Sequence, residues 1–319
     1  MTPADPAGRS SAGDRDASAD RPTVHLVDAS PYVFRAFYSL PDTIRDPEGE
    51  PANAVLGFAG FVLRLVETER PTHLAICFDG SLTTSFRNEL YPEYKAHRDP
   101  PPAELEAQVD DCREMAEALG ATTFVDDRFE ADDFIATLTE RCRDAGAAVV
   151  VVSSDKDLMQ LVGSSVELLD FARGERYGPR QVEAKLGVRP RQVPDYLGLV
   201  GDSVDNIPGV AGIGPKTATV LLAEFDDLDA VLADPRAIEE LPLRGARSVA
   251  AKLLEGRDRA AMSKRLAVLS LDAPVGAAAE LGLDELRFAG PDRERLEALC
   301  ERLGFERLAE RVRRVFETD

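Results

Sequence analysis

The residues with the most chemical potential in this chain are acids that close short apolar runs. TVHLVD ends at Asp28, THLAICFD at Asp79, and AAVVVVSSD at Asp155, with Asp157 two residues on. Each run is short, rich in β-branched residues and free of internal charge, the pattern of a strand buried on both faces. Open parallel sheets place ligands at the carboxyl ends of their strands, so three such strands aim carboxylates at one edge. Glu130, Asp132 and Asp133 open a helical pattern, and Asp202 and Asp205 lie in the turn-rich GDSVDNIPG. Taken singly these acids are ordinary, since helix N-termini favour acids and Asp favours turns. With 58 Asp plus Glu in 319 residues, pairs such as Asp110-Asp111 arise by chance. Strand-end placement is what separates the set from that background.

Up to nine carboxylates converging on one edge would raise one another's pKa and oppose folding unless cations sat between them. All-oxygen ligation selects Mg²⁺, with Mn²⁺ as a substitute, over zinc. Two such ions ~3.5–4 Å apart can stabilise the attacking and leaving oxygens of an in-line displacement at phosphorus. No histidine chemistry competes: His25 lies inside a strand run and reads as core, and His73 and His97 have no Ser or Cys partner in a recognisable motif. Cys77, Cys112, Cys142 and Cys300 are far apart and form no CxxC pair, which fits buried free thiols in a reducing compartment. With no secretory signal at the N-terminus, the expected location is cytoplasmic.

The elements that position these acids follow from periodicity. Residues 1–22 are mostly Ala, Asp, Ser, Gly and Pro, and are expected to be a disordered tail. Residues 23–177 alternate strand runs with helical patterns at 52–69 and 130–143, which predicts an α/β region: a mostly parallel sheet with helices on both faces. An irregular polar insertion at about 80–110 carries Arg87, Tyr94, Lys95 and Arg98. From 178 to 319 the strand signals vanish, and helices are expected at 215–225, 245–256, 258–271 and 291–317. Hydrophobic residues are 44% and charged residues 30% of the chain, and no apolar run approaches the ~20 residues of a membrane span. The net charge of −20 means that a polyanionic partner must be met by a local patch.

One such patch is Gly209-Val-Ala-Gly212-Ile213-Gly214-Pro215-Lys216-Thr217. Pro215 interrupts a Walker A reading, and Thr217 stands where a dinucleotide fingerprint needs Gly. What remains is a tight Gly-Ile-Gly turn opening a helix, whose free N–H groups and Lys216 suit a DNA phosphate as in helix-hairpin-helix modules. A plain helix-connecting turn with Ile213 in the core stays open as the alternative.

These residues belong to a larger ordered set: LVDAS with FRAF (Asp28, Arg35), FD at 78–79, YPEYKAHR at 91–98, FEADD at 129–133, SSDKDLMQL at 153–161 and GDSVDNIPGVAGIGPKTA at 201–218. In them the chain, from about Thr23 onward, resembles the 5′ nucleases: the N-terminal nuclease domain of bacterial DNA polymerase I, phage 5′ exonucleases and, more distantly, flap endonucleases. The resemblance implies a PIN-like 5′ nuclease fold followed by a helix-two-turn-helix DNA-binding region. It implies one metal site around Asp28, Asp79, Glu130 and Asp132, and a second around Asp155, Asp157 and Asp205, with Asp133 and Asp202 in support. The resemblance also implies catalytic roles for Lys95, Arg98 and Arg35. Tyr94, Lys95 and Arg98 look like the family's arch over a 5′ single strand. Gly209, Gly212, Ile213, Gly214, Lys216 and Thr217 are similar to the element that grips duplex DNA, with K⁺ held by loop carbonyls. Two departures are Ala29 for the usual Gly and Val204 for a common Ser.

The implied activity is metal-dependent 5′–3′ exonuclease and structure-specific flap endonuclease cleavage of DNA, extending to RNA primers, to leave a 5′-phosphate and a 3′-hydroxyl. The expected partners are 5′ flaps, nicks and single-strand/duplex junctions, met by a monomer. As the sequence ends at Asp319, the expectation is a free-standing nuclease without polymerase activity. Two other classes remain: a non-catalytic DNA-junction binder, disfavoured because every acidic motif position is filled, and an RNA-cleaving nuclease of related fold, disfavoured by the duplex-gripping loop and arch.

Overall fold

The computed structural model describes residues 21–81, 84–276 and 282–316. Its frame is one six-stranded sheet of β1 (Thr23–Asp28), β2 (His73–Asp79), β3 (Thr122–Asp126), β4 (Ala148–Val152), β5 (Val166–Asp170) and β6 (Glu175–Tyr177), ordered β3-β2-β1-β4-β5-β6. The first five are parallel and β6 runs antiparallel to β5. The three apolar runs read from sequence are the central strands β2, β1 and β4. Because side chains alternate along a strand, Val24, Leu26, Ala75, Cys77, Val149 and Val151 face one core, while Val27, Leu74, Ile76, Val150 and Val152 face the other. Helices therefore cover both faces, as the alternation required.

The register fixes where the acids emerge. Asp28 pairs with Cys77, Asp79 with Asp126, and Val27 with Val152, so the ends of β1 and β2 and the residues after β4 share one edge.

The Ala131–Asp144 helix and most later helices pack on the first face. The helices Asn53–Glu69, Ala103–Ala118, Arg293–Leu303 and Glu306–Phe316 pack on the second.

Several boundaries differ from the sequence reading. The insertion ends near residue 102, because Leu105, Cys112 and Met115 turn the Ala103–Ala118 helix into a core element. The helix expected at 258–271 stops at Ala267, where Val268 is extended. The one expected at 291–317 is two helices, broken at Gly304, whose φ of 70° places it in the left-handed region that ends helices. Both halves pack with the Asn53–Glu69 and Ala103–Ala118 helices, so the last helices return to the α/β half. Of the expected tail, residues 1–20 lie outside the described residues. Arg21 and Pro22 belong to the fold: Arg21 Nε donates to Gly146 O at 2.6 Å, and Ala148 N donates to Pro22 O at 2.9 Å. Among the described residues no helix is long and apolar enough to cross a membrane. All four cysteines are buried free thiols.

Candidate active site

Each acid is held by the backbone feature its sequence position implies. Asp28 closes β1, and its Oδ2 accepts from Ser153 Oγ at 2.8 Å just past β4. Asp79 closes β2 and accepts from Ser30 Oγ at 2.6 Å and from Ala131 N at 2.8 Å, the second bond tying it to the start of the Ala131–Asp144 helix. Glu130 is that helix's N-cap, and Asp132 lies in its first turn. Asp155 follows β4 and accepts from Asp157 N at 2.8 Å, at a short 3₁₀ turn that starts with Asp157. Asp202 and Asp205 sit in a tight turn closed by Asp202 and Ile207, which exchange both backbone hydrogen bonds. The turn is steric in origin: a Cβ on Gly209 would stand 2.3 Å from Gly201 N, and both residues have φ above 50°.

Asp28, Asp79, Glu130, Asp132, Asp155 and Asp205 line one cavity of about 260 Å³, with Lys95 and Arg98 as its cations. Lys95 Nζ lies 2.7 Å from Glu130 Oε1 and 3.9 Å from Asp205 Oδ2, and Arg98 Nη2 lies 2.5 Å from Asp205 Oδ1. The segment that carries them is pinned to the turn below, since Lys95 N donates to Asp205 O at 3.0 Å. Lys95 has a φ of 55°, a left-handed conformation uncommon for a side chain that could sit elsewhere. Such strain gathers at functional positions.

The electrostatics follow from crowding. Burial, then Asp79 and Asp155, push Asp28 up to about 8. Asp132 and Asp157 rise well above the usual carboxylate range through burial and the neighbouring acids, and Asp79 and Asp155 rise as well, enclosure being the first cause. Glu130 goes the other way: burial opposes its charge, but Lys95 and Arg87 outweigh burial and hold it below the usual range. Asp157 Oδ1 is buried without a hydrogen-bond partner among the described residues.

Some expected site residues take other places. Asp133 is fully buried beneath the cavity, where both its oxygens accept from Arg87 at 2.8 Å and Oδ1 also accepts from Ser270 N. It holds the fold and lines no part of the cavity. Asp202 pairs with Lys156 at 2.6 Å and accepts from Val204 N, which shapes the turn. Tyr94, expected against DNA, is buried at 3% exposure, its hydroxyl 3.1 Å from both Glu130 Oε2 and Asp205 Oδ2. Arg35 is exposed and lines a neighbouring cavity of about 370 Å³ with Tyr32, Phe61 and Arg64, outside the acid cavity. In the glycine loop Ile213 is buried in the core, as the connecting-turn alternative had it, while Lys216 is exposed beside Gly214, the N-cap of the Pro215–Glu224 helix. The Gly212 carbonyl accepts from Lys252 Nζ at 3.4 Å, so one carbonyl of the loop expected to hold K⁺ faces an ammonium group.

Sequence reasoning missed Arg87. At 1% exposure it binds Asp133 and Glu130 and donates to the carbonyls of Leu266 at 2.9 Å and Val268 at 3.3 Å, fastening the insertion to the sheet helix and to the helical region. Its only sequence signal was a lone Arg beside Phe86 in a polar stretch. Ser30 and Ser153, which orient two acids, stand inside the LVDAS and SSDKDLMQL runs, but nothing in those runs marked the serines themselves.

A parallel sheet with acids at its carboxyl edge, a basic segment across them and a helical region opening on a glycine turn defines the 5′ nuclease class of fold. The chain belongs to the 5′–3′ exonuclease family: the model of the family's N-terminal resolvase-like domain matches residues 23–187, and that of its C-terminal SAM fold matches residues 188–294. DNA polymerase I of Bacillus subtilis is 38% identical over 297 residues, 92% of this chain and 32% of that protein; DNA polymerase I of Rhizobium leguminosarum is 39% identical over 301 residues, 92% and 28% respectively. The chain thus spans about a third of the length of these relatives. Among solved structures, T5 5′-exonuclease with bound divalent metal ions (zinc) has a TM-score of 0.64 at 22% identity, covering 88% of this chain and 99% of that one. The catalytic core of Rad2 in complex with DNA substrate has a TM-score of 0.59 at 16% identity, covering 92% of each chain. These two likenesses are likenesses of fold.

Proposed function

We propose that this chain is a divalent-metal-dependent 5′ nuclease that hydrolyses DNA phosphodiesters where a 5′ single strand meets duplex, as exonuclease and flap endonuclease, leaving a 5′-phosphate and a 3′-hydroxyl. The observation that carries the reading is the charge imbalance of the acid cavity. Fully ionised, its six carboxylates would face one ammonium and one guanidinium and leave four negative charges, the amount two divalent cations neutralise.

No three acids converge on one point in this conformation among the described residues, and Lys95 and Arg98 stand among them. The donor set still fits a hard cation: every donor is an oxygen, Asp28 and Asp157 hold their protons above the usual carboxylate range, and Asp157 Oδ1 is buried and unpartnered. Asp28, Asp79, Glu130 and Asp132 would hold one ion, and Asp155, Asp157 and Asp205 the other. When bound, such ions act as Lewis acids on the attacking and leaving oxygens of the phosphoryl centre.

The protein's own groups do the positioning. Ser153 and Ser30 fix the carboxyl planes of Asp28 and Asp79. Lys95 and Arg98 cross the mouth of the cavity, so an entering phosphodiester exchanges with Glu130 and Asp205 as their partner and is centred over the acids. Lys216 and the N-terminus of its helix meet a duplex phosphate away from the acids. The divalent metal ions of T5 5′-exonuclease and the DNA bound to Rad2, proteins of like fold, support a divalent metal and a DNA partner for this reading. RNA primers annealed to DNA are within the same substrate class, and the enzyme acts as a monomer.

The test is cleavage of labelled 5′-flap, nicked and hairpin DNA, and of a matched RNA flap, by the purified protein with Mg²⁺ or with EDTA. Metal-dependent release of 5′-phosphorylated products near the junction is expected. Junction binding without cleavage in either Mg²⁺ or Mn²⁺ would return the chain to the non-catalytic class, and preferential cutting of the RNA flap would move it to an RNA nuclease.

A further inference from the structure

The amino-terminal edge of the same sheet holds a cavity of about 580 Å³, at the opposite strand ends from the acids. The starts of β1 and β2 form its floor, and the end of the Asn53–Glu69 helix, β5, β6 and Arg287 form its rim. The charge there is inverted. Arg21, Arg70, Arg176 and Arg287 face only Glu69 and Glu167, a local surplus of cations in a chain whose net charge is −20. Arg176 takes up both glutamates as ion-pair partners. Arg21 spends two of its donors on the carbonyls of Gly146 and Ala147 and keeps the rest of its fork. Arg70 and Arg287 are exposed and have no ion pair among the described residues.

The second observation is His25. Its side chain is 4% exposed and lines this cavity, and neither ring nitrogen has a hydrogen-bond partner among the described residues. Nε2 makes one long ion-pair contact, 3.5 Å from Glu69 Oε2, and Nδ1 makes none. Buried polar atoms left unpaired cost free energy, so a ring aimed into a cavity rimmed by guanidinium groups implies a ligand that accepts its proton. His73 adds a second imidazole to the wall, its Nδ1 bonded to Thr72 Oγ1 at 2.9 Å.

We propose that this cavity is a binding site for a small phosphate monoester, independent of the acid cavity and of any metal. Guanidinium forks match the oxygens of a phosphate and the imidazole supplies a directional donor from below. The volume falls within the ~300–1,000 Å³ of small-molecule sites and leaves room for a nucleoside beyond the phosphate.

The test uses the whole chain in EDTA, where the uncompensated acids repel anions, titrated with inorganic phosphate or with a nucleoside 5′-monophosphate against chloride of equal ionic strength. Calorimetry reads affinity. The ring signals of the three histidines read location, with His97, which does not line this cavity, as the internal control. Saturable binding with a Kd at or below about 1 mM is expected, with His25 and His73 shifting and His97 still. Combining Arg70→Ala with Arg287→Ala should weaken binding at least tenfold and leave the melting temperature unchanged. Tighter binding of the nucleotide seats a nucleoside in the cavity, and equal binding restricts the site to the phosphate group. Histidine shifts that follow ionic strength alone, or unchanged affinity in the double variant, would overturn the proposal.

Discussion

Asp132 and Asp133 are neighbours in sequence and belong to two regions that obey opposite rules. Asp132 faces the cavity, where burial and the acids of three strand ends leave its charge uncompensated. Asp133 lies one layer down in a knot where Arg87 meets both its oxygens, Glu130 and two backbone carbonyls. The contrast teaches which acids work and which hold. Crowded, under-neutralised carboxylates are a cost to the fold that a ligand must relieve, whereas a paired and hydrogen-bonded one is part of the fold.

The sharpest way to break this comparison is to neutralise one of the crowded acids and to remove the base that holds the acid of the knot. Asp157→Asn should reduce flap cleavage by more than ~100-fold, because even outer-shell partners of metal sites cost 10–100-fold. The same change removes like-charge repulsion, so in EDTA its melting temperature should equal or exceed that of the parent. Near-parental cleavage in saturating Mg²⁺ would remove Asp157 from the site.

In the knot, Arg87→Ala should cost about 3–5 kcal/mol of stability, since it strands a buried carboxylate, and Arg87→Lys should recover part of that. Denaturant unfolding measures both. A loss below about 1 kcal/mol, the worth of an exposed pair, would show that the knot is ornamental.

The basic segments separate in the same manner. Lys95→Ala and Arg98→Ala should lower kcat by about 10²–10³ with little change in duplex affinity. Lys216→Ala should instead weaken duplex binding and reduce the salt slope by about 0.9, the share of one phosphate contact. Equal effects on binding and turnover in all three variants would erase the distinction.

A further effect is in pH. Asp28 is raised from its ordinary value of 3.8 to about 8 in the folded chain, so between those pH values the folded state holds a proton that the unfolded state has lost. Its contribution is full below about pH 4 and is lost as pH rises through about 8. In EDTA the melting temperature should therefore drift downward across that window, and Mg²⁺ should flatten the drift. A melting temperature in EDTA that climbs steadily over the same range would contradict the crowding.

How much of this was legible in the sequence depends on whether the signal was local. β1, β2 and β4 were visible because burial on both faces writes an unbroken apolar run, and their terminal acids came with them. β3, β5 and β6 were not, because TTFVD, VELLD and ERY are short and half polar at the sheet's flanks. The acids of the cavity were legible as a set, but Asp132 and Asp133 could not be told apart, since the sense in which a helix turns its first residues depends on what packs against it. Tyr94 and Arg87 sat in a stretch that reads as polar insertion, and their burial comes from residues 36 to 181 positions away. The break at Gly304 was available, since Leu-Gly-Phe at the end of an amphipathic run is a helix stop.

The return of the last helices to the first half of the sheet has a consequence for how the protein is made. The apolar sides of the Asn53–Glu69 and Ala103–Ala118 helices are covered by Leu296, Leu299, Leu303, Phe305 and Leu308, with Arg311 bound to Glu67 and Arg302 to Asp111. At ~5–20 residues per second, the interval between synthesis of Tyr177, the end of β6, and of Arg293 is roughly 6–23 s. For that time a nascent chain on the ribosome carries a finished strand order and an open greasy flank, a natural handle for chaperones. Completion of the α/β fold then awaits the Arg293–Leu303 and Glu306–Phe316 helices.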